Sequence, residues 1–193
     1  AGAPTPTYVY KTTNAGATWT QIYQEYSLYD LVLSSRTPDT LYLIKNPGFT
    51  GSVNSRVVKS TDGGQTWQEM GDLPANYSDY SDWLVLDPQD PGHLYISLAG
   101  KAVLKSTDSG GSWQPANFAL PDGSSISTMI IDPQTPTVFY AIVSGEASGI
   151  FKSSDSGQTW DAVNSGVPDG QIEALVLDPA HPATLYAAVL GHG

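Results

Sequence analysis

Apolar residues in this chain come in short bursts that end at proline or glycine. The run Trp83-Leu84-Val85-Leu86 stops at Asp87-Pro88, and after a turn holding Pro91 and Gly92 a second run, Leu94-Tyr95-Ile96-Ser97-Leu98, begins. Two short apolar runs on either side of such a turn read as a β-hairpin. The pattern returns as Ile131-Asp132-Pro133 before Phe139-Tyr140 and as Leu177-Asp178-Pro179 before Leu185-Tyr186. A worn copy precedes them, Ser34-Ser35-Arg36-Thr37-Pro38-Asp39-Thr40-Leu41-Tyr42. No stretch carries an apolar stripe at helical spacing, since Pro and Gly interrupt every candidate, so the chain is expected to be all β.

A second motif alternates with the first. Lys59-Ser60-Thr61-Asp62-Gly63-Gly64-Gln65-Thr66-Trp67 is written three more times with small changes, ending at Trp19, Trp113 and Trp160, at intervals of 48, 46 and 47 residues. A period in this range marks a repeat architecture. One unit holds four strands, A to D, illustrated by 83–86, 93–98, 102–106 and 112–115. Four antiparallel strands per repeat form a propeller blade, because so small a sheet buries its faces only against its neighbours. The expected fold is a single all-β propeller domain over residues 1–193. Its blades span approximately 23–70, 71–116, 117–163, and 164–193 completed by 1–22. The first repeat contributes strands C and D (8–22) and the last A and B (172–190). Either strand 185–190 pairs with strand 7–12 to close a small four-bladed ring, or these blades form part of a larger propeller or a half-ring paired with a second chain.

Within the repeated nonapeptide each residue type has a task in a tight C–D hairpin. The Asp (Asp62, Asp108, Asp155) accepts hydrogen bonds from its own turn. The Gly (Gly16, Gly64, Gly110, Gly157) supplies positive φ. The Trp (Trp19, Trp67, Trp113, Trp160) folds back into the packing between blades. The first copy has Asn14 in place of Asp and Ala15 before its Gly, which predicts a weakened but intact turn. These residues resemble Asp-box, or BNR, repeats. The Asp-Pro hairpins are similar to those of xyloglucanase-like glycoside hydrolases, and sortilin-like domains carry related arrays. The resemblance implies a β-propeller with the box as a peripheral structural turn, and says little about activity.

Charge narrows the functions. The net charge is −11, and of eight basic residues four (Lys11, Lys59, Lys105, Lys152) open the box. Arg36, Lys45, Arg56 and Lys101 remain, too few to neutralise a run of phosphates, so neither nucleic acid nor an anionic membrane is the expected partner. The chain lacks cysteine, which removes disulfides, thiolate catalysis and Cys-based zinc sites. No apolar stretch is long enough to span a bilayer. The small residues Ala1-Gly2-Ala3-Pro4-Thr5-Pro6 and the acidic, Lys-poor composition fit a secreted protein, extracellular or periplasmic, whose signal segment is not in this chain.

The resemblance to sialidases implies three arginines around a substrate carboxylate, and the chain has only Arg36 and Arg56, which argues against that activity. Other glycoside hydrolysis needs two carboxyl groups facing one bond. The box and Asp-Pro carboxylates belong to turns, leaving Asp30 and Asp82, just before strand A in adjacent blades, as the candidate catalytic pair. Loops that vary on a rigid scaffold are where function usually sits. Here those are the D–A and B–C connections, with Tyr26, Tyr29, Tyr77, Asp79, Tyr80 and Trp83 as candidates for stacking on and hydrogen bonding to a sugar. Each of these aromatics has packing between blades as its alternative role. His93, His181 and His192 have no metal or triad spacing, no EF-hand-type loop is written, and no cofactor is expected. Asn76-Tyr77-Ser78 is a lone glycosylation sequon. The leading expectation is a non-enzymatic binding or scaffold module for a glycan or protein, with homo-oligomers or a larger assembly compatible. The alternative is a fragment or half of a xyloglucanase-like glycoside hydrolase acting on β-glucans.

Overall fold

A computed structural model describes residues 6–45, 55–74, 81–98, 102–116 and 118–191, apart from the side chains of Ser81 and Asp82. Tyr77, Asp79, Tyr80, Lys101 and His192 lie outside the described residues, as does the sequon. The described chain is all β. It opens with a two-stranded sheet, β1 (Thr7–Lys11) and β2 (Thr20–Glu25). Three four-stranded sheets follow. The first holds β3 (Leu28–Leu33), β4 (Leu41–Lys45), β5 (Arg56–Ser60) and β6 (Gln68–Asp72). The second holds β7 (Ser81–Leu86), β8 (Leu94–Leu98), β9 (Ala102–Ser106) and β10 (Gln114–Pro115). The third holds β11 (Ser124–Ile131), β12 (Phe139–Gly145), β13 (Gly149–Ser153) and β14 (Asp161–Ala162). A two-stranded sheet, β15 (Gly170–Leu177) and β16 (Leu185–Gly191), comes last.

Within each sheet, strands pair antiparallel in chain order, the expected A-B-C-D meander. The D strands β2 and β6 run to Glu25 and Asp72, slightly past the expected blade limits at 22 and 70. Each A strand breaks register near its start, between Leu28 and Leu31, Ser81 and Leu84, Ile126 and Thr128, and Ile172 and Ala174. A bulge of this kind bends the strand and increases its twist. No hydrogen bonding joins β16 to β1 among the described residues.

The core lies between sheets. Tyr42, Ile44 and Val57 meet Leu84, Leu94, Ile96 and Trp113 of the next blade. Tyr95 and Phe118 meet Phe139, Phe151 and Trp160. Tyr140 and Ile142 meet Leu175 and Leu177, while Val9, Ile22 and Tyr23 meet Leu43, Val58 and Trp67. The B strand sits mid-sheet with neighbours on both faces, and every residue of β8 is buried. Each such aliphatic side chain contributes about 1.5–3 kcal/mol by leaving water.

Polar links tie successive A–B turns together. Ser35 Oγ donates to Pro88 O at 3.3 Å. Gln89 Nε2 donates to Pro133 O and Gln134 O, both at 3.2 Å, and Gln134 Nε2 does the same to Pro179 O and Ala180 O. Tyr42 OH adds a bond to Pro91 O at 3.1 Å.

Candidate functional site

The propeller has two rims of different character, and the local chemistry explains why. On one rim the C–D turn of each blade bonds to its own A–B turn: Gly63 N to Asp39 O, Ser109 N to Gly92 O and Ser156 N to Thr137 O, each at 2.9 Å. The repeated nonapeptide closes this rim. Asp62 Oδ1 accepts from Ser60 Oγ at 2.8 Å and Thr66 N at 2.9 Å, and Oδ2 accepts from Thr66 Oγ1 at 2.6 Å. Asp108 and Asp155 repeat the set with Ser112 and Thr159. Donors to the ionised form hold all three carboxyls at about 2, the hydroxyl of Thr66, Ser112 or Thr159 contributing most. In the first box Asn14 Oδ1 accepts from Thr18 N at 2.9 Å, and its Nδ2 donates to Thr18 Oγ1 at 2.8 Å. The turn is intact, with one bond reversed in direction.

Two residues in each box, not one, adopt positive φ. Ala15, Gly63, Ser109 and Ser156 precede the expected glycines in the same left-handed region, at 54°, 70°, 62° and 60°. The absent Cβ of the following glycine makes room for the blade before it: Ile22 faces Gly64, Met70 faces Gly110 and Phe118 faces Gly157. The box lysines also have structural work. Lys59, Lys105 and Lys152 place Nζ 5.3, 5.5 and 5.6 Å from the ring centres of Tyr42, Tyr95 and Tyr140. Trp67 Nε1 donates to Gly64 O at 3.1 Å and Ile22 O at 3.2 Å, and Trp160 Nε1 donates to Gly157 O at 3.0 Å. Trp113 is 8% exposed, and its Nε1 has no acceptor among the described residues. Trp19 departs from the expected inter-blade position and is 60% exposed.

The histidines of this rim belong to its turns. His181 Nδ1 lies 3.1 Å from Asp178 Oδ2, and His93 lies within 4 Å of both Asp87 and Asp90. Backbone donors from Ala180, then the His181 ring, lower the Asp178 carboxyl. No group of three or more His, Cys, Asp or Glu able to hold a metal occurs among the described residues.

The opposite rim carries the irregular connections. Lys45 Nζ sits 2.7 Å from Glu25 Oε2 and 3.1 Å from Glu69 Oε1, while Arg56 reaches Glu69 at 2.6 Å and Asp72 at 2.7 Å. The bond from Lys45 lowers Glu25; Glu69 is lowered by Lys45 and then Arg56. Burial opposes the Lys45 charge, and the two glutamates outweigh it and raise its pKa. Burial raises the Tyr23 hydroxyl beside this network.

Of the sequence candidates on this rim, Asp30 is a bridge between blades. Its Oδ1 accepts from Leu31 N at 2.9 Å and its Oδ2 from Leu84 N at 2.8 Å. Asp82 lies in β7, and its carboxyl is outside the described side chains. Trp83 is half-buried among the residues between the second and third four-stranded sheets, and its Nε1 donates to Ile126 O at 3.3 Å. Tyr26 is half-buried with its backbone N donating to Glu25 Oε1, and the Tyr29 ring is exposed.

A feature that the sequence candidates missed is a cleft of about 500 Å³ where β11 to β13 meet β15. Ser127, Thr128, Ser144, Ser148, Gln171 and Glu173 line it, with Ile142 and Val143 behind them. Apart from Ser148, in the connection between β12 and β13, the residues named here lie in strand positions. A second hollow, of about 470 Å³ and mainly apolar, follows A strands β3, β7 and β11.

With this geometry in hand, the likeness to known proteins becomes specific. The family model for the BNR/Asp-box repeat matches residues 58–69, one of the four boxes. No curated protein matches the sequence. Among solved structures, a GH74 enzyme from Niastella koreensis superposes with a TM-score of 0.72 at 23% identity, over 93% of this chain and 30% of that one. The GH74 xyloglucanase from Xanthomonas campestris gives 0.58 at 22% identity, over 75% of this chain and 24% of its own. YCF48 bound to D1 peptide gives 0.53 at 19% identity, over 80% and 45%. The chain therefore spans less than a third of the two GH74 enzymes and under half of YCF48. Box geometry, sheet order and superposition agree that the chain is an Asp-box β-propeller protein.

Proposed function

We propose that this chain is a secreted, non-enzymatic binding module whose irregular rim takes a glycan. The observation that carries the reading is the cleft between β11–β13 and β15, a space of about 500 Å³ lined by four hydroxyl residues, of which Ser127 donates its Oγ to Ile142 O, and by Gln171 and Glu173. That volume lies within the range of small-molecule sites, and hydroxyl and amide groups above aliphatic walls match the alternating polar and apolar faces of a sugar. Three carboxylates elsewhere on this rim are engaged. Asp30 accepts two backbone N–H groups and Glu25 and Glu69 face cations. Carboxylates held by backbone donors and cations in this way hold structure, whereas a glycosidic general acid needs its pKa raised. Lys45 and Arg56 are spent on the same ion pairs, which supports a partner that is neither nucleic acid nor an anionic membrane. The test is binding to a panel of soluble polysaccharides by calorimetry. A Gln171→Ala/Glu173→Ala variant is expected to weaken the best ligand at least tenfold, and unchanged affinity would refute the site.

A second reading, a part of a glycoside hydrolase acting on β-glucans, draws support from the superposition on GH74 enzymes. It requires release of reducing sugar that Asp82→Asn sharply reduces. Absence of turnover across a β-glucan panel removes it.

A further inference from the structure

We infer that Thr128 is the residue that holds the cleft between β11–β13 and β15 open, and that the ring of a bound ligand lies there as the indole of Trp83 lies one junction earlier. The inference rests on the reading of this cleft as a sugar site, and it adds what opens the cleft and where the ring sits.

Strand register makes the four A strands comparable residue by residue. Leu31, Leu84, Met129 and Leu175 lie opposite Leu43, Ile96, Ala141 and Ala187, each the residue that follows the tyrosine of its B strand. The residues just before them, Asp30, Trp83, Thr128 and Ala174, therefore hold one and the same place beside the bulge. Alternate residues of a strand share a face. Two places on, Val32 belongs to the core shared with the second four-stranded sheet, Val85 to the core shared with the third, and Ile130 to the core shared with β15. Asp30, Trp83 and Thr128 thus face the following blade.

Two of these side chains cross to it. Asp30 Oδ2 accepts from Leu84 N at 2.8 Å, and Trp83 Nε1 donates to Ile126 O at 3.3 Å while its ring packs among the residues between the two sheets. Thr128 ends in a hydroxyl and a methyl, too short for either reach. At its junction the gap stays open as the space of about 500 Å³, with Thr128 on one side and Ile172 and Glu173 on the other.

The far wall of the gap repeats as well. Ile126, whose carbonyl accepts from the Trp83 indole, is the last paired residue before its bulge, opposite Val143; Ile172 holds that place in β15, opposite Val189. The extra residues of the two bulges, Ser127 and Glu173, also line the cleft, in keeping with the habit of bulges to re-aim side chains beside sites. A ring entering here meets what the indole meets: aliphatic side chains along its face and, at its edge, one main-chain carbonyl, Ile172 O, to which a sugar hydroxyl can donate.

Free indole is the first probe, because it tests the place without presupposing a sugar. Titrated into the isotope-labelled 193-residue chain, it is expected to shift the amide resonances of Ile172 and Glu173. Thr128→Trp, which supplies an indole from within, weakens that titration at least tenfold. Thr128→Asp, patterned on Asp30, closes the gap by a different bond; it weakens the titration likewise and slows exchange of the Leu175 amide, the counterpart of Leu84. In the reverse direction Trp83→Thr leaves a cavity of ring size, and free indole then shifts Ile126 too. A parent whose Ile172 and Glu173 do not respond to indole overturns the inference, as do shifts that persist in a folded Thr128 variant or a Leu175 amide unchanged by Thr128→Asp. Polysaccharide binding measured alongside separates the inference from the reading beneath it. Indole behaving as expected with no polysaccharide bound upholds Thr128 and removes the sugar. Polysaccharide binding that Gln171→Ala/Glu173→Ala abolishes and Thr128→Trp leaves intact upholds the sugar site and overturns the role of Thr128.

Discussion

Trp113 and Trp19 occupy the same position in two boxes, yet truncating them has different costs. Trp113 is 8% exposed and packs with Ile44, Leu104 and Met70, whereas Trp19 is 60% exposed. Trp113→Ala opens a cavity where two blades meet, and the expected loss is about 3–5 kcal/mol. Trp19→Ala removes a side chain that a single molecule leaves in water, and the expected loss is below about 0.5 kcal/mol. Phenylalanine refines the comparison. The buried Trp113 Nε1 has no acceptor among the described residues, so Trp113→Phe discards that N–H and keeps most of the ring. Trp160→Phe instead strips Gly157 O of its donor and should cost about 0.5–1.5 kcal/mol more than Trp113→Phe. The assay is urea unfolding at a concentration where the chain is monomeric, read by tryptophan emission and by amide exchange of β9. Exchange reports the blade beside the cavity even if distant blades melt separately. Equal losses for Trp113→Ala and Trp19→Ala would refute the argument that box tryptophans stabilise by inter-blade burial.

Acid should act on the boxes. Asp62, Asp108 and Asp155 have folded pKa values near 2, below the ordinary 3.8, so their contribution is complete above pH 3.8 and is lost as pH falls through about 2. An Asp62→Asn/Asp108→Asn/Asp155→Asn variant, built on the Asn14 precedent, should show a flatter decline of the urea midpoint between pH 4 and 2. A parallel decline would place the acid sensitivity elsewhere. Asp30→Ala should destabilise by about 1–3 kcal/mol, because the buried Leu84 N–H loses its acceptor. The check is the Leu84 amide, whose exchange must speed up; unchanged protection would show that Asp30 is free for another task.

Repeat period, strand order and box chemistry were legible in the sequence because each is written locally, in Gly and Pro punctuation around short apolar runs. Positive φ at Ala15, Ser109 and Ser156 was not read, although Gly63 at the same position in the second box was a usable hint. Asp30 was read as a reacting group because its partner, Leu84 N, lies 54 residues away. An aromatic in a variable loop can face solvent or a neighbouring blade, and Trp83 shows that residue type alone does not decide between them. Ring closure was also beyond reach. Blade number depends on the small wedge angle between successive sheets, which is set by the summed shape of many side chains and by no one of them. The cleft lined by Gln171 and Glu173 forms only where two blades meet, and no motif announces it.

The glutamine links between A–B turns give the array a direction of growth. The donor is a side chain and the acceptors are main-chain carbonyls, so any turn can receive the bond but only one carrying a side-chain donor, as Ser35, Gln89 and Gln134 do, can send it onward. A tandem duplication of the unit containing Gln134 would supply both halves of its own joint. The unit containing Ala180 receives this bond and has no side-chain donor at that position to send it onward. Blade number in proteins of this design can therefore lengthen by copying interior units that carry both donor and acceptor, without any new interface being evolved.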